Sequence, residues 1–219
     1  MKSPLSALKT TLLRLCAREF YAETLDFKSG LGDSAWVLYG LARSLKPKVC
    51  VEIGSARGKS ACAVGQALRR NGKGMLYAID PHSPTTWNDQ DSVDSYRILQ
   101  RHLQLAGASQ HVEIVRQTST AAARNWNRPI DLLFIDGDHS YEGVKADWEL
   151  FLPHLTEWAT VVFHDTLWDL RPDRAIARAD MGVPRFVDEL RLAGYPVLTI
   201  DQNFGVSLVQ PRKGGVPLR

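Results

Sequence analysis

The sequence has few cysteines and no long apolar run. Its three cysteines, Cys16, Cys50 and Cys62, are an odd number without zinc-site spacing, which excludes a disulfide framework and indicates reduced thiols. Arg14 and Arg18 interrupt the amino-terminal apolar residues, which argues against a signal peptide. No stretch approaches the roughly 18 uncharged apolar residues of a membrane span. These absences predict a soluble cytoplasmic protein.

The chain also lacks a large excess of charge of either sign. Its 219 residues include 27 Lys and Arg against 24 Asp and Glu, a net charge of +3, and the basic residues are scattered. Proteins that bind nucleic acid concentrate positive charge where they contact phosphates. We therefore expect no nucleic-acid partner. With 44% hydrophobic and 23% charged residues, the composition is that of an ordinary folded domain.

From residue 46 onwards, apolar strand-like runs alternate with segments of helical periodicity. The predicted strands are 48–53, 75–79, 112–115, 130–135 and 159–163. The predicted helices are 60–70, 92–106, 119–125, 141–152 and 184–192. A tight turn between strands 197–201 and 205–210 predicts an antiparallel hairpin. Together these elements predict an α/β, Rossmann-like fold with a seven-stranded, mostly parallel sheet that ends in this hairpin.

The first 45 residues are predicted to form a helical cap. The apolar stripe of one predicted helix consists of Leu5, Leu8, Leu12, Leu15 and Cys16. A second predicted helix contains Trp36, Tyr39, Gly40 and Arg43. A cap or lid on the sheet is the favoured interpretation, and a dimer contact or a membrane-surface helix are the alternatives. The predicted organisation is thus a cap over residues 1–45 and one α/β domain over residues 46–219.

A glycine-containing turn follows the first predicted strand, and residues 52–60 read EIGSARGKS. The three residues between Gly54 and Gly58 are too few for a Walker A loop, and Ala56 replaces the middle glycine of a dinucleotide-binding motif. Gly54 permits a tight turn, and Gly58 lets a ligand approach the start of the next helix. Glu52 suits a cationic ligand better than a phosphate. A merely tight turn between strand and helix is the structural alternative.

Two polar residues follow the second and third predicted strands. Asp80 lies where a carboxylate can accept hydrogen bonds from both hydroxyls of a ribose, although Asp-Pro is also a common turn. Thr118 either flanks an adenine or caps the short helix that follows, and the cap is the favoured interpretation. Together with the glycine turn, Asp80 indicates a cofactor that contains adenosine.

Carboxylates and imidazoles follow the fourth and fifth predicted strands. These residues are Asp136, Asp138 and His139 after the fourth strand, and His164 and Asp165 after the fifth. The carboxyl ends of parallel strands share one edge of a sheet, so we expect these side chains to meet. Carboxylates suit Mg²⁺, whereas the histidines favour Mn²⁺, Fe²⁺ or Zn²⁺. Capping of the next helix is an alternative role for Asp138.

The motifs resemble those of class I S-adenosylmethionine-dependent methyltransferases. Glu52-x-Gly54-x-x-x-Gly58 and Asp80 resemble the cofactor motifs of that class. Residues 135–144 and 163–165 resemble metal-dependent O-methyltransferases that act on sugars of antibiotics and glycans and, more distantly, the catechol and caffeoyl-CoA enzymes. The resemblance covers residues 34–210. It implies that the cofactor is bound by Glu52, Gly54, Ser55, Gly58, Ser60, Asp80, Thr118 and Asp136.

The resemblance also implies a metal site and a catalytic base. The implied ligands of Mg²⁺ or Mn²⁺ are Asp136, His164 and Asp165, with His164 at a position that is often acidic in relatives. His139 lies at the offset of the base in the sugar enzymes, so Asp136 and His139 are the implied catalytic residues. The expected acceptor is a sugar or another polyhydroxylated small molecule. A catechol-like phenol, a metal-free variant and a non-catalytic cofactor-binding module are the alternatives, and a homodimer is a further expectation.

A physical mechanism is consistent with this resemblance. A divalent ion lowers the pKa of a coordinated water from about 15.7 to near 7, and a coordinated alcohol should respond similarly. An imidazole ordinarily titrates near pH 6.5, so His139 can take the proton at neutral pH. A vicinal diol or a catechol is then the natural acceptor. The loop residues Trp87, Trp126 and Trp168 are candidates for a pocket wall, although packing against a helix is favoured for each.

Overall fold

The computed structural model shows one seven-stranded sheet and describes residues 27, 29–84, 87, 94–170 and 178–212. The strands are β1 (Val49–Ile53), β2 (Met75–Ile79), β3 (Val112–Val115), β4 (Ile130–Ile135), β5 (Leu155–His164), β6 (Val197–Ile200) and β7 (Val206–Val209). Their order in the sheet is β3-β2-β1-β4-β5-β7-β6. Neighbours from β3 to β5 are parallel, whereas β7 is antiparallel to both β5 and β6. The predicted sheet and its closing hairpin are confirmed.

Six α-helices connect or flank these strands in the part of the chain that the structure describes. They are α1 (Ala35–Leu45), α2 (Lys59–Asn71), α3 (Ser95–Ala106), α4 (Ser119–Arg124), α5 (Tyr141–Phe151) and α6 (Val183–Leu192). Side-chain caps fix where α3, α4 and α5 begin. Asp94 accepts from the Arg97 backbone N–H at 3.1 Å, and Ser140 accepts from that of Gly143 at 3.0 Å.

Helices cover both faces of the sheet, which explains why β4 is apolar along most of its length. Leu132 belongs to the core cluster shared with α1, α2 and α3. Leu133 belongs to the cluster on the opposite face, shared with α4, α5 and α6. Burial of each leucine stabilises the fold by roughly 1.5–3 kcal/mol. Cys50 and Cys62 are free and buried in the first cluster, as predicted, and Cys16 lies outside the described residues.

Helix α1 is the second helix predicted for the amino-terminal cap. Leu38 and Ala42 on α1 are buried in the core that α2 also lines. Just before it, the Leu31 carbonyl accepts a 2.6 Å hydrogen bond from the side chain of Asn203 in the β6–β7 turn. The first predicted helix lies outside the described residues, and the division at residue 45 stays a prediction. No helix among the described residues is long and apolar enough to cross a membrane.

Strand β5 begins earlier than predicted. Leu155 already pairs with Ile130, and the register between β4 and β5 shifts between Ile130 and Leu132. Trp158 in this first part of β5 is 71% exposed. The run 159–163 therefore contains only the part of the strand that is buried on both faces, while its polar, exposed beginning has no apolar pattern.

The carboxyl ends of β2, β1, β4 and β5 lie side by side. Backbone hydrogen bonds continue just past the strands: the Gly54 N–H donates to the Ile79 carbonyl and the Asp136 N–H donates to the Ile53 carbonyl, both at 2.9 Å. These bonds join the ends of β2, β1 and β4, and the pairing of Ile135 with Phe163 adds the end of β5. Apart from Thr118, which follows β3, the residues predicted to act on ligands lie at or near the ends of these four strands.

Candidate functional site

The glycine turn after β1 requires both of its glycines. Gly54 has a φ of +87° and Gly58 a φ of +88°, in the left-handed region that strains other residues. A Cβ on Gly54 would overlap the carbonyl oxygen of Asp136, and one on Gly58 would overlap the side chain of Leu99. Helix α2 begins directly after Gly58, so its first N–H groups face the sheet edge. The turn thus brings backbone donors close to the ends of β1 and β4.

Glu52 is a buried carboxyl group next to this turn. Its side chain accepts a hydrogen bond from the Ser60 hydroxyl, and the residue is 1% exposed. Its Oε2 has no hydrogen-bond partner among the described residues. Burial raises the pKa of Glu52 to about 8; the Ser60 hydrogen bond opposes this rise, and the charges of Asp136 and Asp80 add to it. Glu52 therefore offers an open acceptor atom inside the protein.

Asp80 is held against the glycine turn. One of its oxygens accepts from the Ala56 N–H at 2.8 Å, and the other accepts from the His82 N–H at 2.6 Å. A carboxylate oxygen can accept a second hydrogen bond, so Asp80 is oriented without being saturated. The hydroxyl of Ser55 is also buried and has no partner in the described part of the chain. Glu52, Ser55 and Asp80 thus lie in or against the turn, and their role in binding a cofactor stays a prediction.

Thr118 caps α4, and Asp138 accepts a hydrogen bond within the turn before α5. The Thr118 hydroxyl accepts from the Ala121 N–H at 3.2 Å at the start of α4. Asp138 accepts from the Ser140 N–H at 2.9 Å, just before α5. The Thr118 contact is the helix cap favoured from the sequence, whereas α5 is capped by Ser140 and not by Asp138. The role of Thr118 beside an adenine stays a prediction.

Asp136, His139 and Asp165 converge at the ends of β4 and β5. Each offers one metal-binding atom, and these atoms all lie within 4.8 Å of one another. The Nδ1 atom of His139 lies 3.3 Å from Oδ2 of Asp165. Asp165 is 4% exposed and has a φ of +60°, a strained conformation for a residue with a side chain. Strain of this kind is found where the surrounding structure holds a functional side chain in place.

The imidazole of His164 lies between two of these carboxylates. Its Nδ1 atom is 3.1 Å from Oδ1 of Asp136 and 3.1 Å from Oδ1 of Asp165. Burial opposes protonation of His164, but the two carboxylates outweigh this effect and raise its pKa to about 10. The structure therefore brings the predicted ligands Asp136, His164 and Asp165 together. It adds His139 to the same cluster, and the identity of the third ligand stays a prediction.

Of the three loop tryptophans, Trp87 contacts a candidate catalytic residue. Its ring centroid lies 5.1 Å from that of His139, with the rings at 76°. The Arg178 guanidinium lies 3.6 Å from the centroid of the Trp87 ring. The rings of the other two lie elsewhere: Trp126 packs on Tyr77 and Phe151, and Trp168 stacks on Phe204. The Trp87 ring thus contacts the His139 ring, and the helix packing favoured for Trp87 stays a prediction.

The chain matches the methyltransferase domain family over residues 51–166, which is more than half of its 219 residues. This region includes the glycine turn, Asp80 and the carboxylate and imidazole groups after β4 and β5. The chain belongs to this family. The chain thus carries a methyltransferase domain, which confirms the S-adenosylmethionine-dependent methyltransferase assignment predicted from its motifs.

Individual relatives are distant. The chain is 30% identical to the uncharacterized protein y4gI of Sinorhizobium fredii over 169 residues. The aligned region is 69% of this chain but only 18% of y4gI. Among solved structures, the SAH-bound methyltransferase PaMTH1 of Podospora anserina has a TM-score of 0.66 at 14% identity, with 96% of each chain covered. The O-methyltransferase TomG of Streptomyces achromogenes, in complex with SAM, has a TM-score of 0.62 at 20% identity, covering 83% of this chain and 80% of TomG. At such identities the likeness shows a shared fold.

Proposed function

We propose that this methyltransferase transfers the methyl group of S-adenosylmethionine to a hydroxyl oxygen of a sugar or another polyhydroxylated small molecule, with assistance from Mg²⁺ or Mn²⁺. The observation that carries the proposal is one sheet edge that holds both the Glu52–Asp80 pair and the Asp136–His139–Asp165 cluster. The likeness to TomG, an O-methyltransferase, supports oxygen as the acceptor atom. The scattered basic residues favour a small acceptor over a nucleic acid.

The residues around the glycine turn fit S-adenosylmethionine, which supplies a methyl group activated on a sulfonium. The open Oε2 atom of Glu52 suits a cationic group, and Asp80 can accept from the two hydroxyls of a ribose. Gly54 and Gly58 let the turn pack closely against Asp136 and Leu99, which keeps Glu52 and the start of α2 at this sheet edge. The buried Ser55 hydroxyl and the Ser60 hydroxyl complete this polar surface. Alignment of donor and acceptor can contribute up to about 7–11 kcal/mol to lowering the barrier.

The donors at the ends of β4 and β5 fit a divalent cation. Asp136 and Asp165 supply the hard oxygen ligands, and either His164 or His139 supplies a nitrogen ligand. A bound ion supplies positive charge that lowers the pKa of an acceptor hydroxyl. Protonated His164 attracts the same carboxylates, so it serves as a ligand only after it loses its proton.

His139 is the proposed general base. Its Nδ1 atom faces Asp165, which leaves Nε2 as the ring atom that takes the proton from the acceptor hydroxyl. As that proton moves to Nε2, the acceptor oxygen forms a bond to the methyl carbon and the carbon–sulfur bond breaks. General-base catalysis of this kind contributes about 10²–10⁴-fold to the rate.

Two specific observations favour variants of this function. Trp87 beside His139 provides an aromatic surface that suits a catechol-like phenol as acceptor. His164, held between Asp136 and Asp165, provides a fixed positive charge at the cluster and favours transfer without a metal ion. A homodimer and a cytoplasmic location complete the proposal, and light scattering on the purified protein tests the first.

The function is tested with Asp136→Ala, with Asp169→Ala at an exposed position as the matched control. Three quantities are measured: S-adenosylhomocysteine affinity by calorimetry, Mn²⁺ binding by electron paramagnetic resonance, and methyl transfer to catechol and to a methyl pyranoside. We expect Asp136→Ala to lose Mn²⁺ binding and to slow transfer by about 100-fold or more, with cofactor affinity within about threefold of wild type.

Unchanged transfer by Asp136→Ala contradicts the catalytic role of the cluster. If the wild-type protein keeps full activity in EDTA and does not bind Mn²⁺, metal assistance is contradicted, and methyl transfer without a metal ion takes its place in the proposal. Weak S-adenosylhomocysteine binding by the wild-type protein contradicts the cofactor site itself.

A further inference from the structure

Trp87 connects two parts of the chain that are far apart in sequence. It follows β2, and its half-buried indole meets the His139 ring edge to face, with 5.1 Å between the centroids. On the same indole, the guanidinium carbon of Arg178 lies 3.6 Å from the ring centroid. A cation this close to a tryptophan ring is held by about 0.5–2 kcal/mol. The indole is thus fixed between the candidate base and a positively charged side chain.

Arg178 is itself fixed by its neighbours. Its Nε donates to Oδ1 of Asp180 at 3.0 Å and its Nη2 donates to Oδ2 at 2.8 Å, a two-point contact that restrains the guanidinium plane. Two residues further on, the Gly182 N–H donates to the His139 carbonyl at 2.8 Å. The segment from Arg178 to Gly182 therefore packs on the loop that carries His139. The orientation of the Trp87 ring depends on contacts to both.

The position of Trp87 limits what can approach His139. A hydroxyl that gives its proton to His139 must come within about 3 Å of the ring nitrogen. The carbon atoms next to that hydroxyl then lie within a few ångströms of the His139 ring, which Trp87 contacts. An indole is a large apolar surface, so it stabilises flat or ring-shaped carbon faces and gains little from a chain that is hydroxylated on every side.

We propose that Trp87 is a specificity-determining residue that forms a wall of the acceptor pocket and selects acceptors with an apolar ring face beside the reacting hydroxyl. Arg178 is the positioning residue that holds the indole in this orientation. This proposal rests on the proposed function, because it takes His139 as the group that receives the acceptor's proton. It names the acceptor class more narrowly: a pyranose or an aromatic diol is preferred to an acyclic polyol.

The test compares three acceptors that share a vicinal diol: catechol, a methyl pyranoside and glycerol. Steady-state kcat and KM are measured for wild type, Trp87→Ala, Trp87→Phe and Arg178→Ala. The control is Trp158→Ala, because Trp158 is 71% exposed in the first part of β5. S-adenosylhomocysteine affinity of each variant shows whether the cofactor site has kept its fold.

We expect Trp87→Ala to raise KM for both ring acceptors by about tenfold while kcat changes by less than about threefold. Trp87→Phe restores most of this loss because it keeps an aromatic ring, and Arg178→Ala gives an intermediate increase. KM for glycerol stays unchanged in every variant, and Trp158→Ala behaves like wild type.

Two results overturn the proposal and leave the proposed function intact: equal KM changes for all three acceptors, or no KM change in Trp87→Ala and Arg178→Ala. If Trp87→Ala fails to bind S-adenosylhomocysteine, the KM values of Trp87→Phe and Arg178→Ala test the proposal by the same criteria. If the wild-type protein binds the cofactor but methylates neither ring acceptor, the acceptor class of the proposed function fails, and this proposal fails with it.

Discussion

The His164 ring joins the ends of two neighbouring strands, because its Nδ1 atom lies 3.1 Å from an oxygen of Asp136 and 3.1 Å from one of Asp165. Asp136 follows β4 and Asp165 follows β5. Without a positive charge between them, two carboxylates this close to one another would repel. The proton on His164 therefore contributes to the stability of the whole cluster.

Replacement of His164 by alanine should destabilise the protein. Loss of one partner of a buried ion pair costs about 3–5 kcal/mol, so we expect a fall of that size in the free energy of unfolding in EDTA. Mg²⁺ should restore part of this loss, because a bound cation replaces the missing charge. Urea unfolding with and without Mg²⁺ measures both effects. His154→Ala is the control, since His154 precedes β5 at the opposite end of that strand, and equal stability of both variants would contradict the role of His164.

Gly54→Ala should be far more disruptive than Gly40→Ala. The first change puts a methyl group against the Asp136 carbonyl oxygen at a φ of +87°, and we expect a loss of about 2–5 kcal/mol in stability. Gly40 lies in α1 with nothing within 4 Å of an added Cβ, so alanine there should stabilise the protein by up to about 1 kcal/mol. Thermal unfolding measures both, and similar effects of the two changes would show that the glycine turn tolerates side chains.

Cofactor affinity should depend on pH through Glu52. Burial raises the pKa of its carboxyl to about 8, so below that pH the cofactor-free protein holds Glu52 mostly neutral. A cationic ligand favours the ionised form, and binding at neutral pH should therefore release a proton from Glu52. We expect S-adenosylmethionine affinity to rise from about pH 6 to about pH 8 in wild type and to be lower and flatter in Glu52→Gln. Calorimetry in buffers of different ionisation enthalpy counts the protons.

Glu113→Gln is the control for this dependence, since Glu113 is an exposed carboxyl on β3. The same pH profile in wild type and Glu52→Gln would mean that another group, or the ligand itself, gives rise to the dependence.

Stability should depend on pH through Asp147 on α5. Burial raises the pKa of this carboxyl to about 6; a hydrogen bond from Ser119 opposes the rise, and the charge of Asp138 adds to it. The folded protein then binds this proton more tightly than the unfolded chain does. A rise in pH from about 4 through about 6 should therefore cost up to about 3 kcal/mol of stability through this group. Above that range Asp147→Asn should be more stable than wild type.

Urea unfolding of Asp147→Asn and wild type at about pH 4 and about pH 8 measures the difference. Asp169→Asn, at an exposed position, should unfold like wild type at both pH values. A stability gain by Asp147→Asn that is equal at both pH values would contradict titration of Asp147 as its cause.

Two of the strands that the sequence predicted most closely are buried on both faces. Strands β2 and β4 begin and end at the predicted residues, because burial requires an apolar run of the strand's own length. The edge strand β3 also matches its predicted bounds, although its Glu113 is exposed. The start of β5 was not predicted, because Glu157 and Trp158 are exposed and lie where the register between β4 and β5 shifts. This part of the strand therefore has no buried apolar run.

Some features of the candidate site could also be predicted from the sequence, and others could not. Residues at strand ends were predicted because the carboxyl ends of parallel strands lie at one edge of the sheet, whatever conformation the loops adopt. The contact of Trp87 with His139 and the position of the His164 ring between two carboxylates depend on side-chain packing between segments far apart in sequence. No spacing in the sequence contains that information. The tryptophan after β2 was the available clue, since it is a large apolar residue in a polar loop.

The hydrogen bond between Leu31 and Asn203 has a consequence for how the protein is made. The two residues are 172 positions apart, so the ribosome must add all the residues between them before the Leu31 carbonyl can receive its donor. Segments ahead of the hairpin can fold while synthesis continues. The connection between Leu31 and the hairpin must wait until the hairpin has emerged, so it forms later than the contacts among β1 to β5.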